Sequence, residues 1–109
     1  MAYDEHLAKR LSKLLAGRND FYEQKMFGGL GFLLRGNMCV GIWKDHLILR
    51  LGEEKAGRAL TKKDVVPFDI TGHAMKGWVM VAPNGTKFDA ILKQWVKEAI
   101  DFVSTLPRK

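Results

Sequence analysis

A single cysteine among 109 residues means that no intramolecular disulfide can hold this chain together. Prolines are as scarce, three in all, at positions 67, 83 and 107, so breaks in regular structure are few and local. Long hydrophobic runs are missing too. Lys, Arg, Gly or Asp interrupts every apolar stretch well short of the ~20 residues a membrane-spanning helix needs, which excludes a helical membrane protein. The opening MAYDEHLAKRL has neither the basic start nor the apolar centre of a signal peptide, so the expected location is the cytoplasm. Basic clusters are equally absent. Although the formal charge is +6 and the pI near 9.6, the longest basic runs are pairs, Lys62–Lys63 and Arg108–Lys109 among them. Net charge is +1 over residues 1–20, +2 over 21–60 and +3 over 61–109, a spread that predicts nucleic-acid binding at most weak and non-specific.

What is present is enough apolar material for one core. Hydrophobic residues make up 47% of the chain and charged residues 28%, and a chain of this length buries enough surface to fold without a staple or a metal. The expectation is a single domain over residues 1–109, with a radius of gyration of about 13 Å. Cys39 lies between Met38 and Val40 and is expected to be a buried thiol.

Periodicity changes along the chain. Tyr3, Leu7, Leu11, Leu14 and Leu15 recur at helical spacing over residues 3–16, with Asp4 placed to cap the start and Gly17 to stop the helix. From Phe21 to Leu51 short β-favouring runs follow, FYEQKMF, LGFLL, MCVGIW and HLILRL, separated by Gly-Gly, Gly36-Asn37 and Lys44-Asp45. Gly36-Asn37 suits a two-residue hairpin turn. HLILRL alternates, with Leu47, Leu49 and Leu51 on one face and His46, Ile48 and Arg50 on the other, so the second face is only partly polar. EEKAGRAL reads as a short helix, TKKDV as a loop, Pro67 holds Val66 extended, and FDI leads through TGHAMKG into the strand GWVMVA. Thr86 and Asp89 approximate a capping box for a closing helix with the stripe Phe88, Ile91, Leu92, Trp95, Ala99, Phe102, Val103 and Leu106. Strands in consecutive hairpins, flanked by helices, predict an α+β fold: an antiparallel sheet of about five to six strands with the N- and C-terminal helices packed on it.

Chemistry-bearing patterns are few. His6, His46 and His73 are far apart with no HxxxH or CxxC companion, so no metal and no cofactor is expected. Cys39, Ser12 and Ser104 have no local nucleophile signature, so no catalytic residue is assigned. Gly28-Gly29-Leu30-Gly31 leads into a strand, whereas a phosphate cradle would lead into a helix. Two segments carry interaction chemistry instead: Lys25, Met26, Phe27, Gly28 and Gly29, and Met75, Lys76 and Trp78. Each sets large adaptable or aromatic side chains beside a Lys. If they converge, they make a surface for an acidic, apolar protein partner.

Taken in order, several blocks resemble one family. The opening MAYDEHLAKRL, Lys25-Met26-Phe27-Gly28-Gly29, Gly36-Asn37-Met38, Arg50-Leu51-Gly52, Phe68-Asp69 and Met75-Lys76-Gly77-Trp78-Val79 look like the N-terminal domain of the TfoX/Sxy competence regulators. The resemblance implies a YjbR-like α+β fold and kinship with regulators that act with the cyclic-AMP receptor protein at competence promoters. It implies the stand-alone domain, without the C-terminal helix-hairpin-helix-like domain of full-length members, and it offers no catalytic residues. The expected function is a non-enzymatic regulatory or protein-interaction module, its partner an unidentified protein of the transcription machinery. The alternatives are a weak nucleic-acid binder, or a small-ligand protein or enzyme. Monomer and homodimer are both open.

Overall fold

Apolar spacing and caps account for the first helix of the computed structural model, which describes residues 3–26, 28–69, 72 and 75–109. Helix α1 spans Glu5–Leu15, and the Asp4 carboxylate accepts from the His6 and Leu7 N–H groups at 2.9 and 3.1 Å, as expected of a capping Asp. Leu7, Leu11 and Leu15 are its buried stripe. An antiparallel meander follows: β1 (Phe21–Met26), β2 (Gly29–Leu34), β3 (Asn37–Trp43) and β4 (His46–Arg50). Helix α2 (Glu53–Ala59), β5 (Val65–Pro67), β6 (Trp78–Val81), a short 3-10 turn at Pro83–Gly85 and helix α3 (Asp89–Val103) complete the order. All six strands join one antiparallel sheet in the order β1-β2-β3-β4-β6-β5. The α+β architecture is therefore as the sequence predicts, and the radius of gyration is 12.6 Å.

Register decides which side chains meet. The rows Leu30–Ile42–Leu47–Val81–Val65 and Phe32–Val40–Leu49–Val79 run across the sheet. They form one cluster with Leu7, Leu11 and Leu15 of α1, Ala56 and Ala59 of α2, and Leu92, Trp95, Val96, Ala99 and Val103 of α3. All three helices thus share one core. Arg10 ties α1 to the start of α3, donating to the Thr86 carbonyl at 2.7 Å and the Asp89 carboxylate at 3.0 Å. Asn37 Nδ2 donates to the Pro107 carbonyl at 2.9 Å and so fastens the C-terminal segment to the β2–β3 turn.

Four local expectations need correction. The β2–β3 turn is Arg35-Gly36, not Gly36-Asn37: Leu34 pairs with Asn37, and Arg35 and Gly36 have φ of 53° and 86°, the signs of a type I′ turn. The side chain of Asn37 is buried in its bond to Pro107, which holds it in the strand. Thr86 does not cap α3. Its hydroxyl donates to the Pro83 carbonyl at 3.2 Å, and the residue before the helix is Phe88, which offers no side-chain cap. Phe88 and Ile91 leave the buried stripe, being 64% and 48% exposed: Phe88 precedes the helix with extended backbone, and Ile91 falls to one side of the buried Leu92, Val96, Ala99 and Val103, where Val96 takes a place in the core. Val65, expected in the TKKDV loop, opens β5 (Val65–Pro67), and FDI follows that strand; Ile70 lies outside the described residues.

Between Phe32 and Leu33 the β2–β3 register slips, since Phe32 pairs with Val40 and Leu33 with Met38. Cys39 is the extra residue of this bulge and joins the core beneath the helices, 0% exposed. Burial pushes its thiol from the ordinary 9.0 up to about 12. The folded state thus holds a neutral thiol while the unfolded chain ionises above 9.0, so stability is complete below that pH and falls as pH rises toward 12. Denaturant titrations at about pH 8 and about pH 10 should show wild type losing more stability than Cys39→Ala over that interval.

Trp95 carries the other expected outcome. It is 6% exposed within the shared core, and its indole N–H donates to the Gly85 carbonyl at 3.2 Å. Trp95→Ala should cost about 3–5 kcal/mol in a denaturant titration. A loss below about 1 kcal/mol would show that the helix does not anchor here.

Candidate interaction site

Among the described residues, no helix packs on the second face of the sheet. Its central row is Gly31–Gly41–Ile48–Met80–Val66. Two facing glycines remove the side chains from the β2–β3 end of that row, and methionines fold into the space. A Cβ on Gly31 would lie 3.0 Å from Met26 Sδ, and one on Gly41 would lie 2.7 Å from Met38 Cε and 2.8 Å from the Leu30 carbonyl oxygen. Ile48, Met80 and Phe68 are buried here, with Met38, Trp43 and Trp78 half-buried against them.

Cations sit over the two tryptophans. Lys44 Nζ is 4.6 Å from the ring centre of Trp43, and the Arg50 guanidinium is 5.1 Å from that of Trp78. Trp78 also packs against Phe68, ring centres 5.5 Å apart. The site therefore joins adaptable sulfur side chains and aromatic rings to positive charge.

Of the segments singled out by sequence, Met75, Lys76 and Trp78 meet the Arg50-Leu51-Gly52 block. The Leu51 and Gly52 N–H groups both donate to the Gly77 carbonyl, at 2.8 and 3.1 Å. Gly52 and Gly77 have φ of 85° and 87°, and a Cβ on Gly77 would stand 3.3 Å from the Gly52 carbonyl carbon, so this crossing uses glycine on both sides. Met75 is 38% exposed and Lys76 is exposed. Together with Ala56, Leu60, Pro67 and Trp78 they line an open depression of about 340 Å³, almost wholly apolar, with Glu53 also in its lining.

Lys25, Met26, Gly28 and Gly29 do not converge with that segment. β2, β3 and β4 lie between β1 and β6, about 19 Å at ordinary strand spacing. The two segments also sit toward opposite ends of the sheet. Lys25 shares the row of Leu30, Ile42, Leu47 and Val81, whereas Trp78 pairs with Arg50. Lys25 alternates onto the helix side of β1, while Met26 belongs to the uncovered face. Gly28, with φ of 77°, is exposed in the β1–β2 turn and Gly29 is the buried first residue of β2; Phe27 lies outside the described residues. The sequence missed Met38, Trp43, Arg50 and the Gly31–Gly41 pair. Only the mixed second face of HLILRL signalled them, since cross-strand pairing is not written in local spacing.

No group of three or more His, Cys, Asp or Glu among the described residues is placed to hold a metal, and none of their helices is long and apolar enough to cross a membrane. His46 Nδ1 lies 2.8 Å from the Asp45 carboxylate at the surface, and His73 lies outside the described residues. Arg18 donates to Asp20 at 3.1 Å and holds that carboxyl below its usual range.

Fold and site together define an α+β domain with its helices on one side of an antiparallel sheet and an apolar, cation-flanked face on the other. The chain belongs to the TfoX N-terminal domain family, whose model matches residues 13–103. Comparison with curated protein sequences and with solved structures gave no match.

The glycine pair predicts an asymmetry. Gly41→Ala presses against the Leu30 backbone, which cannot yield, and should cost about 1–3 kcal/mol. Gly31→Ala meets mainly the flexible end of Met26 and should cost less. Paired denaturant titrations check this, and equal losses would contradict it.

Proposed function

We propose that this domain is a non-enzymatic, cytoplasmic protein-interaction module with a part in transcriptional regulation. It presents the uncovered sheet face to an acidic, apolar segment of a protein partner. The supporting observation is the pairing of Met26, Met38, Trp43 and Trp78 with Lys44 and Arg50 on the face opposite α1, α2 and α3. Methionine adapts to irregular apolar surfaces, tryptophan gives large contact area, and flanking cations steer an acidic partner into place. Membership of the TfoX N-terminal domain family supports the regulatory part. Met75 and Lys76 extend the same contact toward the depression beside α2.

Lys44→Glu and Arg50→Glu test it. Lys44 is exposed and Arg50 half-buried with its guanidinium on the Trp78 ring, so the far-UV circular dichroism should be unchanged, with stability within about 0.5 kcal/mol of wild type for Lys44→Glu and about 1 kcal/mol for Arg50→Glu. Capture of partners from the cytoplasm should fail for both. On adding a captured partner, the indole N–H resonances of Trp43 and Trp78 should move while that of Trp95 stays. Partners retained by both variants, or shifts confined to the helix side, would refute the assignment. Tight nucleic-acid binding that survives elevated salt would replace it with a nucleic-acid interface.

A further inference from the structure

We propose that β1 is a self-complementary edge through which two copies of this chain pair as an antiparallel dimer centred on Gln24. The sheet has two unlike edges. At one end β5 is only three residues long and finishes in Pro67, which has no N–H to offer a new strand. At the other end β1 runs six residues without proline, in unbroken register with β2. Among the described residues, the backbone of Tyr22–Met26 has no hydrogen-bond partner beyond that ladder. Tyr22, Glu23, Gln24 and Lys25 are all exposed, and neither Glu23 nor Lys25 has an ion-pair partner among the described residues.

The occupant follows from parity and charge. In an antiparallel ladder, backbone groups point alternately to the two sides, so strands related by a two-fold axis pair residues of the same parity. The axis therefore passes through a residue. Centring it on Glu23 sets Glu23 against its own copy, and centring it on Lys25 sets two lysines together; like charges directly opposite destabilise a sheet. Centring it on Tyr22 sets Phe21 against Glu23 and leaves Lys25 without an acid. Centring it on Gln24 sets Glu23 opposite Lys25 twice and Tyr22 opposite Met26 twice, an ion pair and a sulfur–aromatic contact on each side of the axis. A lone Lys on an edge strand repels a second strand; here Glu23 one step away reverses that effect. This pairing does not depend on any partner of the uncovered face.

Sedimentation velocity over a dilution series, on the full chain, reads the outcome. Wild type should populate a dimer that dissociates on dilution. Lys25→Glu and Glu23→Lys should each weaken it by about tenfold or more, since each sets like charges opposite at two symmetry-related positions. The double swap, Glu23→Lys with Lys25→Glu, should restore it, which a merely structural effect of either change would not do. Residues directly opposite each other have Cβ atoms about 4.5–5.5 Å apart, close to the reach of a disulfide. Gln24→Cys should thus crosslink to its own copy under mild oxidation and Tyr22→Cys should not, against a low background because Cys39 is buried. A wild type that stays monomeric at its highest soluble concentration overturns the proposal. So does a dimer indifferent to Lys25→Glu, or crosslinking through Tyr22→Cys as fast as through Gln24→Cys.

Discussion

Gly31 and Gly41 face each other across β2 and β3, and the form of the uncovered face depends on that pairing. Two ordinary β-branched residues there would raise a ridge between Ile48 and the β1 edge. Without them Met26 and Met38 lie down across the backbone, and the closeness of the Leu30 carbonyl to Gly41 leaves no room for even a methyl group at that point. The bulge at Cys39 cooperates. By taking an extra residue into the helix-side core it turns Met38 outward, next to Gly41. The apolar trough is thus built from backbone geometry as much as from side chains.

The helix-covered face makes this arrangement sustainable. Two complete cross-strand rows of Leu, Ile, Val and Phe pack against α1, α2 and α3, so the main core closes on that side. The second cluster is small, holding Ile48, Phe68 and Met80 under Met38, Trp43 and Trp78. Most of the buried apolar residues lie on the first face, while the second carries methionine and aromatic side chains over a small cluster. The crossing of Gly52 and Gly77 links the two, because the Gly77 carbonyl takes both N–H groups that lead from β4 into α2. Trp78, with the Arg50 guanidinium over its ring, is held one residue beyond that junction.

Elements governed by local spacing were legible: the Asp4 cap, the hairpin series from Phe21 to Leu51, the short helix after Gly52 and the extended Val66 before Pro67. What escaped was set by contacts distant in sequence. Asn37 is drawn into β3 by Pro107, seventy positions away, and this moves the turn back onto Arg35. Thr86 turns to Pro83, and Arg10 of α1 supplies the partner that Asp89 was expected to find in Thr86. The convergence expected of Lys25 and Lys76 failed for a topological reason. A meander places each new strand outside the last, so β1 is carried away from β6 by the three strands between them. The real neighbour of Met75–Trp78 was another block of the family resemblance, Arg50-Leu51-Gly52.

An antiparallel pairing at the β1 edge has a consequence for the uncovered face. The two-fold axis relating edge strands stands normal to the sheet, so both copies keep their helices on one side and their glycine troughs on the other. Met26 of one copy and Tyr22 of the next then continue the apolar surface across the axis. A partner segment that engages one trough meets a second at a fixed distance on the same plane. Linking two weak contacts in this way raises the effective affinity without any new interaction, provided that the partner is itself paired or carries a repeated segment. Selectivity would then arise from the spacing of two sites, a property that neither copy of the domain possesses alone.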